Sequence, residues 1–252
     1  MKKIIVQIPN FITSLNIASG MLATIFAIDG HLIWAGIFIC FAAVLDFFDG
    51  FSARLLKAYS ELGKQLDSLA DVISFGVAPG AILFTLLEFS LFGTNQPIYE
   101  ISAGWKEWII LFSALLIPVF GAIRLARFNT IKTSETFFRG LPIPANGIFW
   151  ASLGLILETS RYPELMQMLY STRNLFIMGI FMAGMMVINI PMFSLKMKSF
   201  ALHSNWYRYV FLALSVLLIA VFGLYGITLI VFLYIILNLF FYVIKIDYRK
   251  SE

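Results

Sequence analysis

Four aspartates stand within or at the ends of apolar stretches in one short part of the chain: Asp46, Asp49, Asp67 and Asp71. Near the centre of a bilayer each would cost about 2.5 kcal/mol or more on insertion scales. A helix end reaching water accounts for one such residue, but not for four at these spacings. Residues three or four apart share a helix face, so Asp46 pairs with Asp49 and Asp67 with Asp71. The connection around Lys57 to Ser60 is short, which predicts an antiparallel hairpin. Counted outward from residue 58, Asp49 and Asp67 lie at one depth and Asp46 and Asp71 at another, roughly 5 Å further along the axis. Carboxylates crowded in this way cannot all ionise unless cations are present. The cluster has no His or Cys, and hard oxygen ligands favour Mg²⁺, Mn²⁺ or Ca²⁺ over Zn²⁺. Four shared carboxylates suit two divalent ions, the arrangement used for phosphoryl displacement.

Small residues beside the aspartates leave room for a substrate. Gly50 and Ala53 lie on the Asp46/Asp49 face, and Gly63 lies on the Asp67/Asp71 face at a level matching Ala53. Each taken alone reads as close helix packing; together they predict a cleft. Arg54, one turn above the aspartates, is placed either to bind a phosphate bidentately or to snorkel to headgroups. Asn10, Thr13 and Asn16 recur every three residues on one side of the first apolar stretch; Asn10 reads as a helix cap, while Asn16 needs a partner inside a bundle. Cys40 reads as a small core or lipid-facing residue. His31 and His203 fall in loops away from the aspartates and receive no role.

The elements that must position these residues follow from composition. Of 252 residues 60% are hydrophobic and 13% charged, and the mean hydropathy is +0.89, outside ordinary soluble usage. Apolar stretches near the roughly 20-residue length of a helical span recur along the chain, and the alternating segments of a barrel are not seen. The expectation is an all-α integral membrane protein, a bundle of about eight helices near 11–28, 32–57, 62–88, 105–127, 144–159, 173–190, 207–222 and 226–245. Residues 1–252 read as one domain, and the Met1-Lys2-Lys3 start reads as a short interfacial segment instead of a removable signal. With both termini cytoplasmic, only Lys106, Arg161 and Arg173 of the 18 lysines and arginines fall outside, a strong positive-inside bias. Scattered as they are, the basic residues form no nucleic-acid patch despite the net charge of +4.

The spaced residues read Asp46-x2-Asp49-Gly50-x2-Ala53-Arg54-x8-Gly63-x3-Asp67-x3-Asp71, which resembles the signature of the CDP-alcohol phosphotransferase family without a departure. The resemblance implies two divalent cations, Mg²⁺ or Mn²⁺, on Asp46, Asp49, Asp67 and Asp71, in a site facing the cytoplasm of a prokaryotic-type inner membrane. It implies nucleotide and pyrophosphate contacts at Asp49, Gly50, Ala53, Arg54 and Gly63, a catalytic base at Asp71, and a homodimer. Three further segments are similar to the phosphatidylserine synthases of that family: Pro9 to Asn16, Leu66 to Pro79, and Arg124 to Asn129 followed by Gly140 to Asn146. They imply CDP-diacylglycerol and L-serine as substrates, with Asn16, Arg124, Arg127, Asn129, Arg139 and Asn146 near serine or lipid phosphate. For the three arginines, positive-inside anchoring is an equal reading. The likeness covers about residues 1–150, and 151–252 read as further spans with a scaffold role. Glycerol 3-phosphate, inositol or an ether lipid are the alternative substrates, and a divalent-cation transporter is the rival outside enzymes.

Overall fold

The computed structural model describes residues 7–130, 138–157, 162–193 and 202–244. The chain begins with α1 (Gln7–Ile28) and α2 (Leu32–Leu55). Helix α3 (Glu61–Val72) runs through a π turn (Ile73–Val77) into α4 (Ala78–Phe92), and α5 (Trp105–Phe112) runs through a 3₁₀ turn (Ser113–Leu115) into α6 (Leu116–Thr130). Then follow β1 (Phe138–Arg139), α7 (Ile143–Ile156), α8 (Pro163–Leu169), α9 (Thr172–Val187), β2 (Pro191–Met192), α10 (Leu202–Phe222) and α11 (Tyr225–Val243). The two strands form one small antiparallel ladder, with Phe138 opposite Met192. The all-α expectation holds.

Among the described residues, six stretches are long and apolar enough to cross a bilayer: Gln7–Ile28, Leu32–Leu55, Glu61–Phe92, Trp105–Thr130, Asn205–Phe222 and Tyr225–Val243. The spans expected over 144–159 and 173–190 are helical but shorter, Ile143–Ile156 and Thr172–Val187. Helix α7 starts behind Pro142 with Pro144 in its first turn and ends at Ile156, short of the expected 159. Helix α9 stops where Ile188 becomes extended, just before Pro191. The ladder strands lie outside both expected spans. Gly140, at φ +74°, takes the left-handed conformation that turns β1 toward α7. The Met1-Lys2-Lys3 segment, Arg161 and the basic residues Lys132, Lys196, Lys198, Lys245, Arg249 and Lys250 lie outside the described residues.

Connections collect at two opposite ends of the bundle. At one end Asn95 donates to the Ile28 carbonyl at 3.2 Å, joining the α1–α2 and α4–α5 connections. The buried Glu88 carboxylate fixes that loop, accepting from Asn95 Nδ2 at 2.9 Å and from the Gln96 amide at 2.7 Å. At the other end stand the β1–β2 ladder and the α2–α3 hairpin. The hairpin turns through Lys57, at φ +50°, and the Ala58 amide reaches back to the Ala53 carbonyl at 2.9 Å, closing the end of α2. Ser60 then caps α3, its hydroxyl accepting from the Gly63 amide at 2.9 Å.

Large apolar side chains on the outer faces, among them Phe47, Phe48, Phe51 and Leu55 of α2, are exposed, as expected where lipid replaces water as solvent. The interior is built of Phe75, Phe149, Trp150 and their neighbours, fully buried. The π turn sits at its centre. Pro79, lacking an N–H, cannot bond the Phe75 carbonyl, and the Ala78 amide bonds the Ile73 carbonyl five residues back. The wider turn pushes Ser74 against α1 and Phe75 against α7. Gly147 of α7 accepts the latter: a β-carbon there would stand 3.1 Å from the Phe75 α-carbon and 2.8 Å from its ring. Gly147→Val is therefore expected to lower the thermal midpoint in detergent by an amount equivalent to about 1–3 kcal/mol. Gly184→Ala, with nothing within 4 Å of the added carbon, leaves the midpoint unchanged. Equal melting of both variants would refute the packing described for the π turn.

Candidate active site

The α2–α3 hairpin brings carboxylates from its two arms together. Ligand oxygens of Asp46, Asp49 and Asp67 all lie within 4.8 Å of one another, close enough to share a cation. Asp49 is buried, and the other two are half-buried. Thr13 of α1 completes this corner: its hydroxyl lies 2.7 Å from Asp49 Oδ2 and 3.0 Å from the Pro9 carbonyl. With a single proton it serves one acceptor at a time. The three-residue spacing of Asn10, Thr13 and Asn16 was the sequence signal for this contact, but it did not say which of the three would meet an aspartate.

Asp71 stands apart from that trio. Its charge interactions run to Asp46, Asp67, Arg124 and Asp49. Yet its Oδ1 is sealed from solvent and has no hydrogen-bond partner. One turn of α3 thus carries a carboxylate from the cation-binding corner into the bundle.

A cleft of about 340 Å³ adjoins the aspartates, lined by Asp49, Gly50, Ala53, Arg54, Gly63 and Asp67, together with Asn10, Thr13 and Lys64. A β-carbon at Gly50 would touch nothing within 4 Å, so this glycine keeps space open instead of admitting another helix. Gly63 makes room for polar neighbours: its β-carbon would lie 2.9 Å from Asn10 Oδ1 and 3.0 Å from Ser60 Oγ. Arg54 is exposed at the mouth, and Tyr59 and Lys64 border it. Sequence reasoning did not single out Tyr59 or Lys64, because an aromatic and a lysine in a turn carry no spacing signal.

Among the described residues four buried polar atoms, Asn16 Nδ2, Asn146 Nδ2, Arg124 Nε and Asp71 Oδ1, have no hydrogen-bond partner. The other amide atoms of the asparagines are spoken for: Asn16 Oδ1 accepts from Ser74 at 2.7 Å, and Asn146 Oδ1 accepts from Trp150 Nε1 at 3.2 Å. Those contacts orient both Nδ2 groups. Buried polar atoms are nearly always satisfied in folded proteins, so these four, on helices packed around one π turn, are where water or a polar ligand would be held.

The remaining expected residues serve the fold. Arg127 donates to the Val187 carbonyl at 3.2 Å, Arg139 to Asn189 Oδ1 at 2.9 Å, and Asn129 to Ser68 Oγ at 2.9 Å. These bonds join α6, β1, α3 and the end of α9, and they place Arg127 and Arg139 on the surface. His31 lies exposed beside Asp29, 3.1 Å away, in the α1–α2 connection, remote from the hairpin turn; the His203 side chain is outside the described residues.

A family model described as CDP-alcohol phosphatidyltransferase matches residues 6–189. Among curated proteins, the CDP-diacylglycerol–serine O-phosphatidyltransferase of Helicobacter pylori is 30% identical over 256 residues, 97% of this chain and 95% of that one. The protein of the same name from Mycobacterium leprae is 35% identical over 148 residues, 56% of this chain, which spans only 44% of that longer relative. The archaetidylserine synthase of Methanothermobacter thermautotrophicus is 36% identical over 162 residues, 64% of this chain and 61% of that one.

The three-carboxylate corner makes a prediction that needs no substrate. Mn²⁺ titrated into the purified protein should bind, and Asp67→Asn should weaken that binding by tenfold or more. Thr13→Val, which removes only the hydroxyl beside Asp49, should weaken it by about tenfold, in the range of outer-shell ligand partners. Unaltered Mn²⁺ affinity in Asp67→Asn would rule out this corner as the metal site.

Proposed function

Because the chain belongs to the CDP-alcohol phosphatidyltransferase family, we propose that it is a phosphatidylserine synthase, transferring the phosphatidyl group of CDP-diacylglycerol to the hydroxyl of L-serine and releasing CMP. The observation that supports this reading is the three-carboxylate corner of Asp46, Asp49 and Asp67, with Asp71 one turn further along α3 and interacting electrostatically with both the corner and Arg124. In this reading the donor lies in the cleft and the acceptor meets it beside Asp71.

Asp46, Asp49 and Asp67 fit a hard divalent cation by donor type and spacing, and the family resemblance adds Asp71 and a second ion, Mg²⁺ or Mn²⁺. Such ions, when bound, neutralise the pyrophosphate and the charge gathering on the departing CMP. The nucleotide end lies in the cleft, where Gly50 and Gly63 give the space and Arg54 a bidentate phosphate contact. Beside Asp71 the Arg124 guanidinium and the Nδ2 groups of Asn16 and Asn146 donate to the serine carboxylate, which leaves the hydroxyl free to attack. Asp71 Oδ1 accepts the hydroxyl proton as the serine oxygen forms its bond to the lipid-side phosphorus. The bond from that phosphorus to CMP breaks, and CMP carries away the electron pair. Lipid tails remain against the exposed apolar face of the hairpin throughout.

A site opening toward the cytoplasm, a prokaryotic-type inner membrane and a homodimer belong to the same proposal, supported by the basic residues around the hairpin and by the family resemblance. The ether-lipid name of one relative makes an ether-linked CDP-lipid a second donor to include.

Purified protein given CDP-diacylglycerol, Mg²⁺ or Mn²⁺ and a panel of alcohols is expected to release CMP with L-serine. Release only with glycerol 3-phosphate or inositol would reassign the acceptor. Asp71→Asn should slow release by at least about 100-fold, the scale of a lost general base, with CDP-diacylglycerol still bound. A variant that turns over at the parental rate would remove Asp71 from the chemistry.

A further inference from the structure

The α2–α3 turn joins two membrane spans directly. One candidate span ends at Leu55 and the next begins at Glu61, so residues 56–60 stand where hydrocarbon gives way to lipid headgroups. The apolar outer face of α2 continues into this turn. Leu55 is 69% exposed and Leu56 38%, and beyond them Tyr59 is 72% and Leu62 67% exposed. At the headgroup level such aliphatic side chains meet the ends of acyl chains, and a tyrosine ring finds its preferred interfacial position.

The charge of the turn is positive. Residues 54–64 hold Arg54, Lys57 and Lys64 against the single carboxylate of Glu61, and all four residues are exposed. Glu61 opens α3, where its charge offsets the positive end of the helix. Lys57 follows the end of α2 at φ +50°, a left-handed conformation that glycine adopts freely and that a side chain disfavours. The turn closes there all the same, with the Ala58 amide donating to the Ala53 carbonyl at 2.9 Å. A lysine kept where glycine would suit the backbone better points to a use for its ammonium group.

We propose that the end of the α2–α3 hairpin is a docking surface for anionic phospholipid: Leu55, Leu56, Tyr59 and Leu62 enter the boundary between headgroups and acyl chains, while the Lys57 and Lys64 ammonium groups pair with lipid phosphates of the surrounding bilayer. Apolar insertion and cationic attraction reinforce each other on such surfaces. A soluble acidic partner would match the lysines but not the four apolar side chains, which continue the lipid-facing surface of α2. The same turn borders the cleft, whose lining includes Ala58, Tyr59, Ser60 and Lys64. Docking therefore holds the cleft at the level where a lipid-linked phosphate lies, and it ties the position of the turn to the charge of the membrane.

The test uses the full chain in lipid nanodiscs and no substrate, so its outcome is separate from that of the serine assignment. With the sole native cysteine replaced by Cys40→Ala, Tyr59→Cys carries an environment-sensitive fluorophore, and the phosphatidylglycerol content of phosphatidylcholine discs is raised stepwise. Emission should shift to the blue. In Lys57→Gly the phosphatidylglycerol fraction at half-change should rise about fivefold, the worth of one lysine near an anionic surface, and Lys57→Arg should return it to within about twofold of the parent. Glycine suits the left-handed backbone, so Lys57→Gly should melt no lower than the parent, which separates lost docking from lost folding. Lys57→Asn, which also tolerates that conformation, should match it. Emission that ignores phosphatidylglycerol, the same half-change fraction in both Lys57 variants as in the parent, or a shift that soluble phosphate reproduces in phosphatidylcholine discs would each overturn the proposal, the last by making the lysines a site for free anions.

Discussion

Like charges held close together in a medium of low dielectric organise this protein. Asp46, Asp49 and Asp67 lie with their oxygens within 4.8 Å on helices whose outer faces meet lipid, where an uncompensated carboxylate is expensive. Such a cluster persists only if cations, hydrogen-bond donors and a rigid frame offset the repulsion. Thr13 supplies a donor, and the capped hairpin turn at Lys57 to Ser60 supplies the frame. The small residues at 50, 53 and 63 follow from the same constraint, because the charge of the site must be met by a charged ligand entering from one side.

The frame gains its shape from defects in its helices. Pro79 forces the π turn over Ile73–Val77, and Pro118 clashes with the carbonyl four residues back, near the 3₁₀ turn at Ser113–Leu115. Regular helices would have carried Ser74 and Phe75 past their partners. The π turn instead delivers Ser74 to Asn16 and Phe75 to Gly147, so helices α1, α3 and α7 are locked around the point where Asp71 turns inward. A π turn is less favourable than α-helix, and such turns recur at functional sites for this reason.

Charge is divided between the cleft and the bundle interior. Arg54 and Lys64 line the cleft with access to solvent, suited to a ligand that comes and goes. Arg124, with an exposure of only 8%, lies in the interior and interacts electrostatically with Asp71. Guanidinium and carboxylate attract each other there, but the orphaned Nε and Oδ1 mean that neither is fully served by the other. A bound zwitterion or anion with a hydroxyl would satisfy what the protein leaves open.

The sequence by itself determined the helical membrane class and the hairpin that carries the aspartates. Both depend on local periodicity, and a helix has the same rise and turn wherever it is placed. The family signature likewise lies within one hairpin. Tertiary structure decided the rest: that Asp46, Asp49 and Asp67 close while Asp71 is buried beyond them, and that Arg124 is buried in the bundle while Arg127, Asn129 and Arg139 become ties between elements. It also bonded Ser74 to Asn16, 58 residues away in sequence, and paired β1 with β2. Helix rotation and neighbour choice are set by packing between distant segments, which spacing along the chain does not encode.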